Sequence, residues 1–280
     1  MGRNSILAVL VLLTCFSTSC KAIRFSKADK DRVEQLLIES TKLPLDSNKI
    51  LFFCNKLLDT PYIPNTLEYR KEELIVNLRQ LDCMTFVENV LALAVCSKKG
   101  STDFDSFCKE LRAIRYKDGK IDDYSSRLHY FSNWVENNSK YGIVEEKTQW
   151  TDSAKIKKFS LNFMSEHIAS YPALKDNDHL LRKIKETEKY DYIMHYIPKN
   201  MLNKPHHALK VSDGDIIAIT TSIKGLDVVH MGIAYWMGDQ LHLIHASSIK
   251  KKVIIESKTL YDYLKNKKLN TGIRVLGIIQ

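Results

Sequence analysis

After its first twenty residues, the 280-residue sequence has no second apolar run that approaches the roughly 20 residues of a membrane-spanning helix. It has no paired CxxC spacing, no zinc-finger pattern and no RNA-binding motif, and its six cysteines are too few for a disulfide scaffold. Internal repeats and low-complexity linkers are also absent. These absences predict one composite domain that is soluble or tethered by lipid, and they exclude nucleic acid as its partner.

The first twenty residues differ in kind from the rest of the chain. Arg3 precedes an unbroken apolar run over residues 6–13, and small and polar residues follow up to Cys20. A charged start, a short apolar centre and a small-residue exit predict a signal peptide over residues 1–20, with a lone membrane anchor as the alternative. Residues 17–20 also resemble a loose bacterial lipobox, so Cys20 is a candidate for lipidation. We therefore expect secretion across the inner membrane to the periplasm or envelope.

Positive charge is in excess and mostly dispersed. The net charge of +9 falls to +8 when Arg3 leaves with the signal peptide. One lysine-rich stretch stands out near the end of the chain: Lys250, Lys251, Lys252, Lys265, Lys267 and Lys268. Such an excess suits an anionic polymer or a membrane surface, and a solvated basic face explains it equally well.

The pattern of apolar residues divides the mature chain, residues 21–280, into three parts. Residues 27–141 are helical in pattern, with an apolar face at Val33, Leu36 and Leu37 and further helices predicted over 81–96 and 123–136. Residues 142–205 are charged and poorly periodic, which predicts an insertion of helices and loops. Residues 206–280 favour a sheet, with strands predicted over 215–221, 228–236, 241–246, 252–257 and 272–279.

Cys83 opens the most apolar of the predicted helices, with Asp82 as a candidate N-cap. Free backbone N–H groups and the helix dipole favour an anion there, so this position predicts a lowered thiol pKa and an available thiolate. The alternative is a small buried hydrophobe, the commonest fate of a free cysteine. A disulfide among Cys54, Cys96 and Cys108 also stays open.

A predicted hairpin brings two histidines together. If Gly238 and Asp239 form the turn, Gly232 faces His245, and His230 lies two residues away on the same face. His230 and His245 are then diagonal neighbours roughly 5–8 Å apart. His242 points to the other side.

Two histidines that face one cysteine offer a nucleophile, a base and a group that orients the base. In that arrangement Cys83 attacks, His230 takes and returns the proton, and His245 holds the ring of His230 in the correct tautomer. Two alternatives remain: zinc ligation by Cys83, His230 and His245, and a purely structural hairpin.

Several blocks, in order along the chain, resemble the motifs of NlpC/p60-type, papain-like cysteine peptidases. The blocks are Thr60-Pro61-Tyr62, Asp82-Cys83-Met84-Thr85-Phe86-Val87, Asp213-Gly214-Asp215-Ile216-Ile217, His230-Met231-Gly232-Ile233-Ala234-Tyr235 and Ile244-His245-Ala246-Ser247. The resemblance implies that Cys83 is the nucleophile, His230 the base and His245 the orienting residue, with the Tyr62 hydroxyl close to the nucleophile. It implies no metal and no organic cofactor.

The sequence departs from that pattern at two places. Residues 63–68 replace the Gly-Gly that normally follows the tyrosine, and Met84-Thr85 replaces Ser-Gly after the cysteine. Together with residues 124–134, these features resemble the N-acetylmuramoyl-L-alanine amidase-like branch of the superfamily. That branch implies cleavage between the lactyl group of N-acetylmuramic acid and L-alanine in peptidoglycan fragments, especially soluble anhydro-muropeptides of cell-wall turnover.

Residues 124–134 also contain candidate substrate-binding side chains. An exposed Trp134 is suited to stack on a sugar, and Arg127 to hold a carboxylate in a bidentate pair; His129 lies beside them. The alternative places Trp134 in the core of an amphipathic helix and makes Arg127 a surface charge.

These observations predict an α+β fold, with a helical part packed on an antiparallel, partly barrel-like sheet of NlpC type and the site in the cleft between them. The predicted reaction is acyl transfer by a cysteine amidase. A D-glutamyl-diamino acid endopeptidase and a non-catalytic glycan-binding envelope lipoprotein are the alternatives. The sequence does not indicate an oligomeric state.

Overall fold

The computed structural model describes residues 23–69 and 71–279, so the predicted signal peptide and Cys20 lie outside the described residues. Within those ranges, no helix is both long and apolar enough to cross a bilayer. The α-helices of this part are α1 (Lys27–Ser40), α2 (Lys49–Lys56), α3 (Cys83–Lys98), α4 (Phe104–Arg115), α5 (Phe131–Lys140), α6 (Phe163–Glu166), α7 (Asp178–Glu188), α8 (His206–Leu209) and α9 (Leu260–Leu264). The strands are β1 (Ile23–Arg24), β2 (Leu74–Ile75), β3 (Val144–Glu146), β4 (Lys155–Ser160), β5 (Asp191–Pro198), β6 (Ile216–Thr221), β7 (Val228–Met237), β8 (Gln240–Ser247), β9 (Lys252–Ile255) and β10 (Asn270–Ile278).

The N-terminal helices form because short polar side chains cap them and apolar faces hold them together. Ser26 and Asp29 make a capping box at the start of α1, and the predicted face of Val33, Leu36 and Leu37 is fully buried. Helix α3 is buried along nearly its whole length and packs against α1, α2 and α4 on one side and β7 and β8 on the other. It is therefore the central helix of the domain.

The main sheet is antiparallel and runs in the order β4-β5-β10-β6-β7-β8-β9, with β3 added to β10. Strands β4 and β9 are its two ends, so the sheet is open and the expectation of a partly barrel-like sheet is wrong in that respect. The mixed helical and antiparallel architecture is confirmed. Alternate residues of each strand face two different cores: Ile233 and Ile244 face the helical core with α3, whereas Ala234 and Leu243 face a second core that includes α9.

The predicted helix over 123–136 is wrong in its first half. Tyr124–Ser126 form a short 3-10 turn, Arg127 is extended, and the helix begins only at Phe131. The Asp123 carboxylate accepts a hydrogen bond from the backbone N–H two residues later at 2.9 Å, which favours a turn over a continuing helix.

Residues 142–205 contribute strands as well as helices, contrary to the prediction of helices and loops. Strands β3 and β5 pair with β10, and β4 pairs with β5. The sequence of β4, Lys155–Ser160, carries three lysines. Charge of this kind protects an edge strand from pairing with other chains, and it also hides the strand from a search for apolar alternation.

Candidate active site

Cys83 is the first residue of α3, and Asp82 fixes the start of that helix. The Asp82 carboxylate accepts a hydrogen bond from the backbone N–H of Thr85 at 2.8 Å, and the Thr85 hydroxyl accepts one from the backbone N–H of Asp82 at 2.9 Å. This reciprocal cap is a capping box, with threonine in the place of the usual acid. In the first turn, the backbone N–H groups of Cys83 and Met84 interact with the thiol.

The prediction of a lowered thiol pKa at Cys83 is wrong. Burial raises the pKa of the Cys83 thiol to about 12, and the Asp82 carboxylate acts in the same direction. The backbone N–H groups of Met231 and Met84 oppose this shift and lower the pKa. Desolvation outweighs the helix N-terminus here, so the resting cysteine is a neutral thiol.

The predicted histidine pair is present, on the predicted hairpin register. Residues 233–237 of β7 pair with 240–244 of β8, with Met237 opposite Gln240. The His230 Nε2 atom lies 2.6 Å from the His245 Nδ1 atom, and the two rings meet edge to face. His242 pairs with Tyr235 and bonds elsewhere, to the Glu256 carbonyl oxygen.

Both histidines of the pair are kept neutral. Burial lowers the pKa of His230 to about 3, assisted by the positive charge that His245 and Lys267 can carry. Burial also lowers the pKa of His245 to about 4, against the opposing effect of Glu256. Since His230 uses Nε2 toward His245, its Nδ1 is the nitrogen left to exchange a proton with a thiol.

Three contacts relate the thiol to the histidines. The thiol interacts with the backbone N–H of Met231, which follows His230 directly, and it interacts electrostatically with Tyr263, whose ring centroid lies 5.6 Å from that of His245. In residues 23–69 and 71–279, no hydrogen bond joins the thiol to either imidazole. The Cys83 thiol therefore contacts the residue that follows His230, and hydrogen bonds between catalytic side chains often tighten only when a substrate binds.

Gly232 is needed for the close approach of β7 to the strand that carries His245. A Cβ at Gly232 would lie 2.5 Å from the Ile244 carbonyl oxygen and 2.9 Å from the His245 Cβ atom. The pairing of β7 with β6 also shifts by one residue around Val229, which is a β-bulge directly before His230. Bulges of this kind re-aim side chains next to active sites.

Tyr62 is held beside Cys83 by backbone bonds. Its N–H donates to the Lys251 carbonyl oxygen at 2.8 Å, and the flanking residues bond to Leu81, two residues before the cysteine. Burial raises the pKa of the Tyr62 hydroxyl, with Cys83 and Asp82 as further causes. The hydroxyl is therefore a neutral hydrogen-bond donor within electrostatic reach of the thiol.

Arg127 and His129 belong to a different cluster. The Arg127 guanidinium is buried and pairs with Glu68 at 2.9 Å and Glu72 at 3.4 Å, so it has no free face for a substrate carboxylate. The His129 Nε2 atom lies 2.7 Å from the Tyr124 carbonyl oxygen, and burial lowers its pKa to about 3. Both contacts replace the predicted substrate-binding roles with structural ones.

Trp134 is 0% exposed and stacks on Phe131 at a centroid distance of 5.5 Å. The prediction that an exposed Trp134 stacks on a sugar is therefore wrong. The apolar face of α5 buries the indole because that helix packs onto β3 and α4.

Glu256, Tyr263 and Lys267 surround the histidine pair and were missed from the sequence. The Glu256 Oε2 atom is 3.8 Å from His245 Nε2, and the Lys267 ammonium lies 3.4 Å from the Tyr263 ring centroid. A second hairpin register, for β8 and β9, would have found Glu256. The sequence shows Lys267 only as part of a lysine-rich stretch, and no pattern indicates that Lys267 or Tyr263 lies beside the histidines.

A zinc site was the functional alternative for Cys83, His230 and His245. In the part of the chain that the structure describes, no three histidine, cysteine, aspartate or glutamate side chains are grouped so as to hold a metal ion. The zinc alternative thus has no ligand set there.

Comparison with known proteins identifies the family. The model of the AmiA-like family, N-acetylmuramoyl-L-alanine amidase-like, matches residues 53–273. The chain belongs to this family. The matched range includes Cys83, His230, His245 and Glu256. No curated protein matches the chain.

Solved structures share this fold. An N-acetylmuramoyl-L-alanine amidase from Bacteroides uniformis is 40% identical, with a TM-score of 0.78, and the match covers 83% of this chain and 98% of that one. A Bacteroides fragilis protein, provisionally described as a xylanase, is 42% identical with a TM-score of 0.77 over 81% of this chain and 100% of that one. A Legionella pneumophila protein at 23% identity, with a TM-score of 0.73 over 90% and 95%, supports the fold alone.

Proposed function

We propose that this AmiA-like protein is a cysteine amidase that hydrolyses the N-acetylmuramoyl–L-alanine bond of peptidoglycan fragments, above all anhydro-muropeptides released in cell-wall turnover. The observation that carries the proposal is the 2.6 Å contact between His230 and His245, with the Cys83 thiol at the neighbouring Met231 N–H. The same arrangement supports a papain-like site of NlpC type. Export by the predicted signal peptide would bring the enzyme to the periplasm or envelope, tethered through Cys20 if that residue is lipidated.

The reaction begins with a proton transfer, because the resting thiol is neutral. His230 Nδ1 takes the Cys83 proton as the sulfur attacks the lactyl carbonyl carbon, and a carbon–sulfur bond forms. His230 returns the proton to the alanine nitrogen, and the carbon–nitrogen bond breaks. Water then adds to the thioester, which releases the lactyl carboxylate and restores the thiol. A neutral His230 at pH 7 is the protonation state that this first step requires.

Two groups would stabilise the oxyanion in this mechanism. The first is the N-terminus of α3, where the backbone N–H groups of Cys83 and Met84 interact with the Cys83 thiol. The second is the neutral Tyr62 hydroxyl, which is within electrostatic reach of the Cys83 thiol and belongs to the segment that bonds to Leu81. Donors of this kind bind the oxygen more strongly in the tetrahedral intermediate than in the amide, which is the condition for catalysis.

The experiment is incubation of the mature protein with a purified disaccharide-peptide, followed by mass analysis of the products. Cys83→Ala is the test variant. Cys108→Ala is the matched control, because Cys108 is a buried thiol on α4 that the proposed mechanism does not use. We expect wild type and Cys108→Ala to release free disaccharide and intact stem peptide, and Cys83→Ala to release neither.

Each alternative predicts a different product. A disaccharide that keeps L-Ala-D-Glu would indicate the endopeptidase, and binding without cleavage by any variant would indicate the glycan-binding lipoprotein. Activity that survives thiol alkylation and is lost to a chelator would indicate a zinc hydrolase. Release of xylo-oligosaccharides from xylan would indicate a glycosidase, a chemistry that normally uses two carboxylates flanking the scissile bond.

A further inference from the structure

Glu256 lies one strand beyond His245, on the same face of the sheet. Strands β8 and β9 pair with His245 opposite Ile254, and the Glu256 N–H continues this ladder by donating to the Leu243 carbonyl oxygen at 2.8 Å. Glu256 is therefore the diagonal neighbour of His245, just as His245 is the diagonal neighbour of His230. The three side chains form a diagonal row across β7, β8 and the end of β9.

His245, in the middle of this row, is buried, and one of its two ring nitrogens lacks a hydrogen-bond partner among the described residues. His245 is 0% exposed, and its Nε2 atom has no hydrogen-bond partner among the described residues. A buried donor left in this state costs about 1–3 kcal/mol. The Glu256 Oε2 atom is 3.8 Å away, which is outside hydrogen-bonding distance and within reach of a small side-chain rotation. The other carboxylate oxygen, Oε1, already accepts the Lys258 N–H at 3.2 Å.

We propose that Glu256 is a positioning residue that sets the tautomers of both histidines; this inference rests on the catalytic roles proposed above. A carboxylate can only accept, so it requires the proton of His245 to sit on Nε2. His245 Nδ1 is then an acceptor, and at 2.6 Å it holds a proton on His230 Nε2. His230 Nδ1 is left unprotonated, which is the state of a base that faces the thiol.

Two lysines and a tyrosine lie around the Glu256 carboxylate. Lys267, which lies over the Tyr263 ring, interacts electrostatically with Glu256, and Lys258 lies near both. Tyr263 from α9 is within electrostatic reach of both the Glu256 carboxylate and the Cys83 thiol. Lys267 therefore brings a positive charge close to the Glu256 carboxylate that faces His245 Nε2.

The test is Glu256→Gln, with Ser257→Ala as the matched control. A glutamine that keeps its oxygen on the Lys258 N–H must turn its NH₂ group toward His245. That group is a donor, so it favours the opposite tautomer of His245 and protonates His230 on Nδ1. The Ser257 hydroxyl contacts the other carboxylate oxygen at 3.5 Å, so its removal probes this corner of the structure without touching Oε2.

Two readouts separate positioning from a merely structural role. Long-range ¹H–¹⁵N spectra of histidine-labelled protein show which ring nitrogen carries the proton, with His230 and His245 assigned by substitution. Turnover of the disaccharide-peptide gives kcat and KM. We expect an Nε2–H His245 in wild type and Ser257→Ala, an Nδ1–H His245 in Glu256→Gln, and a kcat reduced about 10²–10⁴-fold in Glu256→Gln with KM nearly unchanged.

An Nδ1–H His245 in wild type would overturn the proposal. So would a Glu256→Gln protein whose tautomers and kcat match those of wild type. The spectra need no substrate, so the proposed function is tested separately. A tautomer switch in Glu256→Gln together with a wild type that cuts no muropeptide would support the role of Glu256 and refute the amidase.

Discussion

Two sets of titratable side chains lie close together in this molecule. In one set the side chains avoid the desolvation penalty of burial by staying neutral, and in the other they offset it by forming ion pairs. The first, here called the neutral set, contains the three side chains proposed to be catalytic, Cys83, His230 and His245, and each of them stays neutral. The second, here called the Arg–Glu cluster, joins α3, α4 and the loop before β2 through five charged side chains: Glu68, Glu72, Glu88, Arg115 and Arg127.

The comparison shows why ion pairs suit a structural role, whereas neutral side chains suit a role in proton transfer. Arg115 donates to Glu88 at 2.7 Å and to the Ile75 carbonyl oxygen at 2.7 Å, with both side chains buried. Ions paired in this way have fixed protons and fixed positions. The histidines share short contacts without net charge, so a proton can move along them. Helix α3 carries a member of each group, Cys83 and Glu88, separated by little more than one turn.

The largest expected effect comes from removing the base. His230→Gln keeps a polar side chain and eliminates general-base action, so we expect kcat/KM to fall about 10²–10⁴-fold. The melting temperature should stay close to that of wild type, because the Arg–Glu cluster is untouched. Steady-state kinetics and thermal unfolding of the same preparation measure both. An unfolded His230→Gln protein would show that the neutral set also stabilises the fold.

Breaking the Arg–Glu cluster should do the reverse. Arg115→Met leaves Glu88 as an uncompensated buried charge, and we expect the free energy of unfolding to fall by about 3–5 kcal/mol. Urea unfolding followed by circular dichroism measures the change. The matched control is the double variant Arg115→Met with Glu88→Gln, which removes both charges and should recover part of the loss. Equal destabilisation by the single and double variants would contradict this account.

The two groups should also respond to pH with opposite signs. Burial lowers the pKa values of His230 and His245 to about 3 and about 4, below the ordinary value near 6.5, so the unfolded chain binds more protons. Their contribution to stability is complete above about pH 6.5 and is lost as the pH falls toward 3. Burial raises the pKa values of Glu72 and Glu88, so their contribution is present below the ordinary pKa and is lost as the pH rises.

Melting temperatures measured from pH 7.5 to pH 4 separate these terms. Wild type should lose stability on acidification more steeply than a His230→Asn variant, because the variant lacks one titrating imidazole. Parallel curves for the two proteins would mean that His230 does not titrate on unfolding.

The smallest effect is expected at Trp134. Its indole N–H is buried without a hydrogen-bond partner among the described residues, so Trp134→Phe removes no bond and a modest volume. We expect a loss of stability of no more than about 1–2 kcal/mol and an unchanged KM for the disaccharide-peptide. A KM raised tenfold in Trp134→Phe would indicate that Trp134 contributes to substrate binding.

The sequence was informative where a local rule determines the structure. The turn at Gly238 and Asp239 determines the register of β7 and β8, and this register alone predicts that His230 lies beside His245. The start of α3 at Cys83 followed from Asp82. The thiol pKa did not follow, because it depends on how deeply the rest of the chain buries the sulfur.

The features that the sequence does not predict correctly share one physical origin, because each depends on contacts between distant parts of the chain. Arg127 looks like a ligand-binding residue in the sequence, and only the fold reveals Glu68 and Glu72 on either side of it. Strand β4 carries lysines, so its pairing with β5 leaves little apolar signal. Glu256 needed two successive hairpin registers, and an error in either would have moved it to the opposite face of the sheet.

The bonds that clamp Tyr62 have one more consequence. The segment before residue 63 is fixed to β9 and to Leu81, and Leu81 leads directly into the helix of Cys83. Residues 64–80, the seventeen positions in between, therefore form a segment whose two ends are held at a constant separation. A change of conformation inside this segment therefore leaves the separation of Tyr62 and Cys83 unchanged.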